Sequence, residues 1–248
     1  EHAAIIVRPR DFDANKRYPV LASVYGGPHY ATVHAVRSRY FMQQWFADHG
    51  FIVVLFDGRG TPYKGREFER ATSRDLISAP LADWREALTS LAAREPAIDL
   101  ARAGVYGWSF GGYFTLHALL RAGDVFRAGV AGAPVADWRD YDTHYTERYM
   151  GLPAEQAAAY DRASALTYAA SLERPLLLIH GTADDNVYFL HSLRFLDALM
   201  RAGRSCEFLP LAGQTHMVTE PALVRRMNER MVRFFRRELG APSANLQP

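Results

Sequence analysis

The stretch Val105-Tyr106-Gly107-Trp108-Ser109-Phe110-Gly111-Gly112-Tyr113 holds a Gly-x-Ser-x-Gly pattern at the end of a short apolar run and just ahead of helical spacing. That placement reads as a nucleophile elbow, a sharp strand-to-helix turn that lifts a serine hydroxyl above a sheet. Gly107 and Gly111 leave out side chains that would collide with neighbouring backbone at such a bend. Ser109 would then stand at a helix N-terminus, whose free N–H groups stabilise negative charge as it develops. Three fixed positions also occur by chance in glycine-rich turns, so the pattern gains its meaning from an acid and a histidine later in the chain.

Outward from the elbow, apolar runs and alternation predict strands at 3–7, 18–25, 51–56, 126–132, 176–179 and 207–211. Helical spacing falls between them: Phe41, Trp45 and Phe46; then 81–93 through Leu81, Trp84, Leu88 and Leu91; then 189–202 and 221–239. An aromatic loop and helix run from Trp138 to Met150. Strands alternating with helices imply an α/β fold with a mainly parallel central sheet and helices on both faces. Functional groups in such a sheet gather at the strand C-terminal ends.

Three predicted strand ends carry Ser109, an aspartate at 184 or 185, and His216, the chain order Ser, Asp, His of the α/β-hydrolase fold. In that chemistry the histidine takes the serine proton and later gives it to the leaving group, while the aspartate fixes the imidazole tautomer. Set against this, His216 could be a surface-loop histidine, and the aspartates an N-cap pair ahead of Val187. The backbone N–H of Phe110 is one candidate oxyanion donor. The second belongs to the loop Tyr25-Gly26-Gly27-Pro28, from the Tyr25 hydroxyl or a glycine N–H.

Composition narrows the classes. At 248 residues, with a net charge of +2 and no run of five or more like charges, the chain suggests one large domain with neither nucleic acid nor a membrane surface as partner. No run of about 18 apolar residues is present, so no membrane span is expected. The single cysteine, Cys206, excludes an internal disulfide and reads as a buried strand residue. Scattered histidines, with His144 and His180 read as packing or hydrogen-bonding groups, suggest no metal, and no Gly-x-Gly-x-x-Gly turn suggests a dinucleotide. No cofactor is expected. The start at Glu1-His2, without Met or an apolar leader, suggests part of a longer protein, and residues 240–248 read as a disordered tail after a domain over 1–239.

At Tyr25-Gly26-Gly27-Pro28, Asp57-Gly58-Arg59-Gly60, Gly107–Tyr113, Tyr145-Thr146-Glu147-Arg148-Tyr149-Met150-Gly151 and His180-Gly181-Thr182-Ala183-Asp184-Asp185-Asn186-Val187, the chain resembles the catalytic domain of the prolyl oligopeptidase family, and within it the dipeptidyl peptidase IV branch. The resemblance covers nearly the whole chain. It implies Asp184 as the triad acid, the Tyr25 hydroxyl as second oxyanion donor, and Asn186 as a holder of a substrate carbonyl. It also implies that Phe110, Val135, Trp138, Tyr141, Tyr145 and Val187 enclose the residue before the scissile bond, usually proline; ordinary core packing is the competing reading of the aromatics.

Two departures stand out. Phe110 occupies a position where well-known members carry tyrosine, and the β-propeller whose paired glutamates bind the substrate's α-amino group is missing from this chain. The expectation is a serine peptidase releasing N-terminal dipeptides after Pro or Ala, with an acylaminoacyl peptidase, oligopeptidase or esterase as the alternative. The expected partners are a peptide substrate and an N-terminal propeller of the parent protein. A homodimer is also considered, from the apolar stripe Val224, Met227, Met231, Phe234 and Phe235, which could equally be a core face.

Overall fold

Strand Ile52–Phe56 is apolar at every position and buried at every position, which requires cover on both faces of its sheet. The computed structural model, which describes residues 3–241, provides that cover. The strands are β1 (Ala4–Val7), β2 (Tyr18–Ser23), β3 (Ile52–Phe56), β4 (Ile98–Trp108), β5 (Ala128–Gly132), β6 (Leu176–Gly181) and β7 (Glu207–Leu211). They form one seven-stranded sheet in the order β1-β3-β2-β4-β5-β6-β7. Only β1 runs antiparallel to its neighbour.

The helices are α1 (Phe41–Asp48), α2 (Arg66–Arg70), α3 (Ser78–Arg94), α4 (Phe110–Arg121), α5 (Thr143–Met150), α6 (Ala157–Ala163), α7 (Leu190–Arg201) and α8 (Pro221–Leu239). Alternate residues of each strand feed two cores. Ile52, Val54 and Phe56 meet Leu81 and Trp84 of α3, Phe114 of α4 and Phe195 of α7 on one face. Val53 and Leu55 meet Phe46 of α1 and Met231, Phe234 and Phe235 of α8 on the other. The α8 stripe that suggested a dimer surface is therefore spent largely on the chain's own core.

Several boundaries differ from the sequence expectation. β4 begins at Ile98, because Tyr18 and Pro19 of β2 pair with Ile98 and Asp99 ahead of an irregularity in that pairing; Asp99 and Arg102, which read as a polar connection, bond to each other at 2.9 Å. On α1 the inward residues are Gln43, Phe46 and Ala47, while Phe41 points to solvent. Cys206 is half-buried just ahead of β7 rather than within a strand, and His144 is exposed on α5. Gly240 caps α8 in the left-handed conformation and Ala241 packs against the core shared by α1 and α8; the rest of the expected tail, 242–248, lies outside the described residues.

The loop after β2 passes the end of the neighbouring strand β3 and is fastened there by Asp57. This carboxylate, 3% exposed, accepts from Thr32 N at 2.9 and 3.0 Å, from Thr32 Oγ1 at 2.7 Å and from Val33 N at 2.8 Å. Removing it leaves three donors without their acceptor in a partly buried site. Asp57→Ala is expected to destabilise the fold by about 3 kcal/mol, read as a lowered midpoint in thermal or denaturant unfolding; an unchanged midpoint would contradict this role for the carboxylate.

Candidate active site

Ser109 joins β4 to α4 with φ 59° and ψ −117°, a backbone conformation that a non-glycine residue adopts only where its surroundings enforce it. The enforcement is visible. Ser109 N donates to Gly132 O of β5 at 2.9 Å, and Tyr113 N donates to Ser109 O at 3.0 Å. A Cβ on Gly111 would lie 2.1 Å from Val24 O, so only glycine lets α4 approach the end of β2 this closely. The Phe110 N–H belongs to the first helical turn, whose donors have no intrahelical acceptor, and is free to face an oxyanion.

The acid and base come from the ends of β6 and β7. His216 Nδ1 lies 2.8 Å from Asp184 Oδ2, and the Asp184 side chain is fully buried. The other carboxylate oxygen accepts from Asn186 N at 3.0 Å and Val187 N at 2.9 Å, so the Asp184 turn wraps its own side chain. Asp185 is exposed, which leaves Asp184 as the acid that meets the histidine. Trp108, the residue before Ser109, donates from Nε1 to His216 O at 2.8 Å and ties the elbow to the histidine loop. Among the described residues no hydrogen bond joins Ser109 Oγ to His216, a link that often closes only when substrate is bound.

Tyr25 lies across from the elbow. Its ring packs on Phe110 at 5.8 Å and edge-on to Tyr30 at 5.0 Å. Burial, reinforced by Tyr141, Tyr30 and Tyr149, pushes its hydroxyl up to about 12, so the group remains a donor throughout the neutral range.

The aromatic residues form a box. Trp138 stacks on Tyr145 at 5.7 Å, Tyr141 stands edge-on to both at 5.6 and 5.5 Å, and Phe110 closes the base 5.6 Å from Trp138. Val135 and Val187 are buried in the same apolar cluster as Phe110 and Trp138. Local capping aims these rings: Asp137 accepts from Arg139 N at the turn carrying Trp138, and Asp142 caps α5 by accepting from Tyr145 N at 2.8 Å. Tyr141 donates its hydroxyl to Asn186 Oδ1 at 2.8 Å, which joins the box to the Asp184 turn. The sequence reading omitted His29, whose Nε2 is hydrogen-bonded to Tyr149 OH and whose ring meets Tyr145 edge-on at 6.0 Å. Its contacts span more than a hundred residues of chain, so no local pattern could have signalled them.

Among the described residues no three His, Cys, Asp or Glu side chains gather as a metal set, and no helix is long and apolar enough to cross a membrane. Close approach also fixes the histidine loop, because a Cβ on Gly181 would lie 2.3 Å from Gln214 O and 2.7 Å from Thr215 O. Gly181→Ala is expected to cost about 2 kcal/mol and to displace His216. Amide exchange would rise across the loop at 212–216; a loop with unchanged exchange would contradict the assignment of Gly181 as its seat.

Comparison with known proteins agrees with this geometry. The sequence profile described as "Prolyl oligopeptidase family" matches residues 37–242. The chain is similar to dipeptidyl peptidase 8 of Homo sapiens, 36% identical over 251 residues that span 98% of this chain and 28% of that protein. The crystal structure of Porphyromonas gingivalis dipeptidyl peptidase 4 superposes with a TM-score of 0.91 at 38% identity, over 96% of this chain and 34% of that one. The chain thus spans 28% of the human relative's length and 34% of the bacterial one's. With the elbow, the Asp184–His216 pair and the matched profile all in one sheet, this chain is a member of the prolyl oligopeptidase family.

Proposed function

We propose that this chain is the catalytic part of a serine peptidase that releases dipeptides from peptide N-termini, cleaving after proline or alanine. The observation that carries the proposal is the closed aromatic box beside the elbow. Phe110 and Trp138 are almost wholly buried and Tyr141 and Tyr145 half-buried, so the rings offer a small, rigid aromatic surface that suits a compact pyrrolidine ring or a methyl group better than a long side chain.

In this reading the substrate's scissile carbonyl lies over Ser109 with its preceding residue in the box. His216 takes the Ser109 proton as Oγ attacks the carbonyl carbon, and Asp184 stabilises the imidazolium. The Tyr25 hydroxyl and the Phe110 N–H take the negative oxygen. His216 then returns the proton to the leaving amine, and water attacks the acyl-enzyme by the reverse steps. Because Asn186 Oδ1 accepts from Tyr141, its Nδ2 donors are left to hold a carbonyl further along the substrate. The acidic group that binds the substrate's free amine, and the β-propeller that carries it, would belong to the parent protein beyond these residues. A homodimer would have to use a surface other than the buried part of α8.

The experiment uses the full-length parent protein and compares chromophore release from a free-amino Gly-Pro substrate, its N-acetyl form and a short acyl ester, with Ser109→Ala as blank. Rapid cleavage of the free-amino substrate alone is expected. Preference for the blocked peptide or the ester would replace this reading with an acylaminoacyl peptidase, an oligopeptidase or an esterase. Tyr25→Phe should lower kcat about 100-fold with KM little changed; an unaltered kcat would remove Tyr25 from the oxyanion site.

A further inference from the structure

His180 is a fully buried imidazole at the end of β6, four residues before Asp184, and the triad chemistry makes no use of it. Both ring nitrogens are engaged. Nε2 lies 2.8 Å from Val187 O and Nδ1 lies 2.7 Å from Ser192 Oγ, with Ser192 itself fully buried on α7. A carbonyl can only accept, so Nε2 carries the proton. The neutral ring then presents a bare Nδ1, and the Ser192 hydroxyl donates to it. Burial keeps the ring neutral by lowering its pKa, and the titratable groups facing it are Asp184, His216 and His191.

The same Nε2 edge lies 3.2 Å from Asp184 Oδ2, the oxygen that meets His216. The turn from Asp184 to Val187 is thus held at both ends. Its amides close on Asp184 Oδ1, and its last carbonyl rests on the His180 N–H. One end of this turn orients the acid for His216, and the other carries Val187, buried in the same apolar cluster as Phe110 and Trp138 of the box.

We propose that His180 is a positioning residue of the triad and pocket together: locked by Ser192 as the Nε2–H tautomer, it holds the Asp184–Val187 turn in the register that both require. The inference rests on the reading of Ser109, Asp184 and His216 as the triad.

The test compares His180→Leu, His180→Gln and Ser192→Ala in the full-length protein, with circular dichroism and thermal unfolding as the check on folding. Loss of the N–H in His180→Leu is expected to lower kcat about 100-fold, the scale of an ångström's misplacement, and to lower the preference for proline over alanine. His180→Gln keeps a side-chain N–H within reach of Val187 O and is expected to retain activity within about 10-fold of the parent. In an Asp184→Asn background the further loss from His180→Leu should nearly vanish, because the two act as one unit.

A folded His180→Leu with unchanged kcat, a glutamine variant no better than the leucine one, or additive losses in the cycle would each overturn the proposal. Should His180→Leu fail to fold, Ser192→Ala decides: kcat several-fold lower is expected, and an unchanged kcat and proline preference would contradict the tautomer lock. Full activity in Asp184→Asn alone would instead strike the triad reading, and so separates the two failures.

Discussion

A carboxylate with no solvent exposure sits at the end of β6, and the loops around it are arranged to satisfy it. Taking the Asp184 charge out of water would be prohibitive without partners, since an isolated buried carboxylate costs many kcal/mol. Two backbone amides, the His216 ring and the nearby His180 edge meet that demand. The arrangement that makes the buried charge tolerable also fixes the base at the carboxyl end of the sheet. Stability and reactivity are supplied by the same bonds.

The remaining features extend this rigidity outward. The strained Ser109 backbone is held by Gly132 O behind it, and Trp108 reaches from the elbow to the His216 carbonyl. Tyr141 connects the aromatic box to Asn186 in the Asp184 turn. Asp57 fastens the loop that carries Tyr25, whose ring rests on Phe110 at the base of the box. The residues proposed as nucleophile, acid and base, oxyanion donor and specificity pocket come from five separate strand ends, yet each touches another through a hydrogen bond or an aromatic contact. Preorganisation of this kind lowers the cost of reaching a charged transition state.

Much of this was legible in the sequence because its signals are local or ordered. The all-apolar β3 announced a buried parallel strand, and the elbow's glycines announced a close approach that Gly111 and Val24 O display. Chain order placed Ser109, an aspartate at 184 or 185, and His216 at three strand ends before any distance was known. The first half of β4 was hidden because Asp99 and Arg102 are polar at a sheet margin, where pairing between side chains replaces burial. His29 against Tyr149 was hidden for a different reason, and His180 was legible as a packing or hydrogen-bonding group but not by its partners: such contacts are created by tertiary structure and leave no periodicity. The α8 stripe shows the limit of periodicity, which detects an apolar face without telling what covers it.

The central claim is that Ser109 is singled out as a nucleophile by the His216–Asp184 pair. The most direct measurement is to treat the folded full-length protein with an alkyl fluorophosphonate and locate the adduct by peptide mass spectrometry. A single adduct on the peptide containing Ser109, absent from unfolded protein, is the predicted result. A folded protein that takes up no label, or takes it up on another residue while Ser109 stays unmodified, would contradict the account.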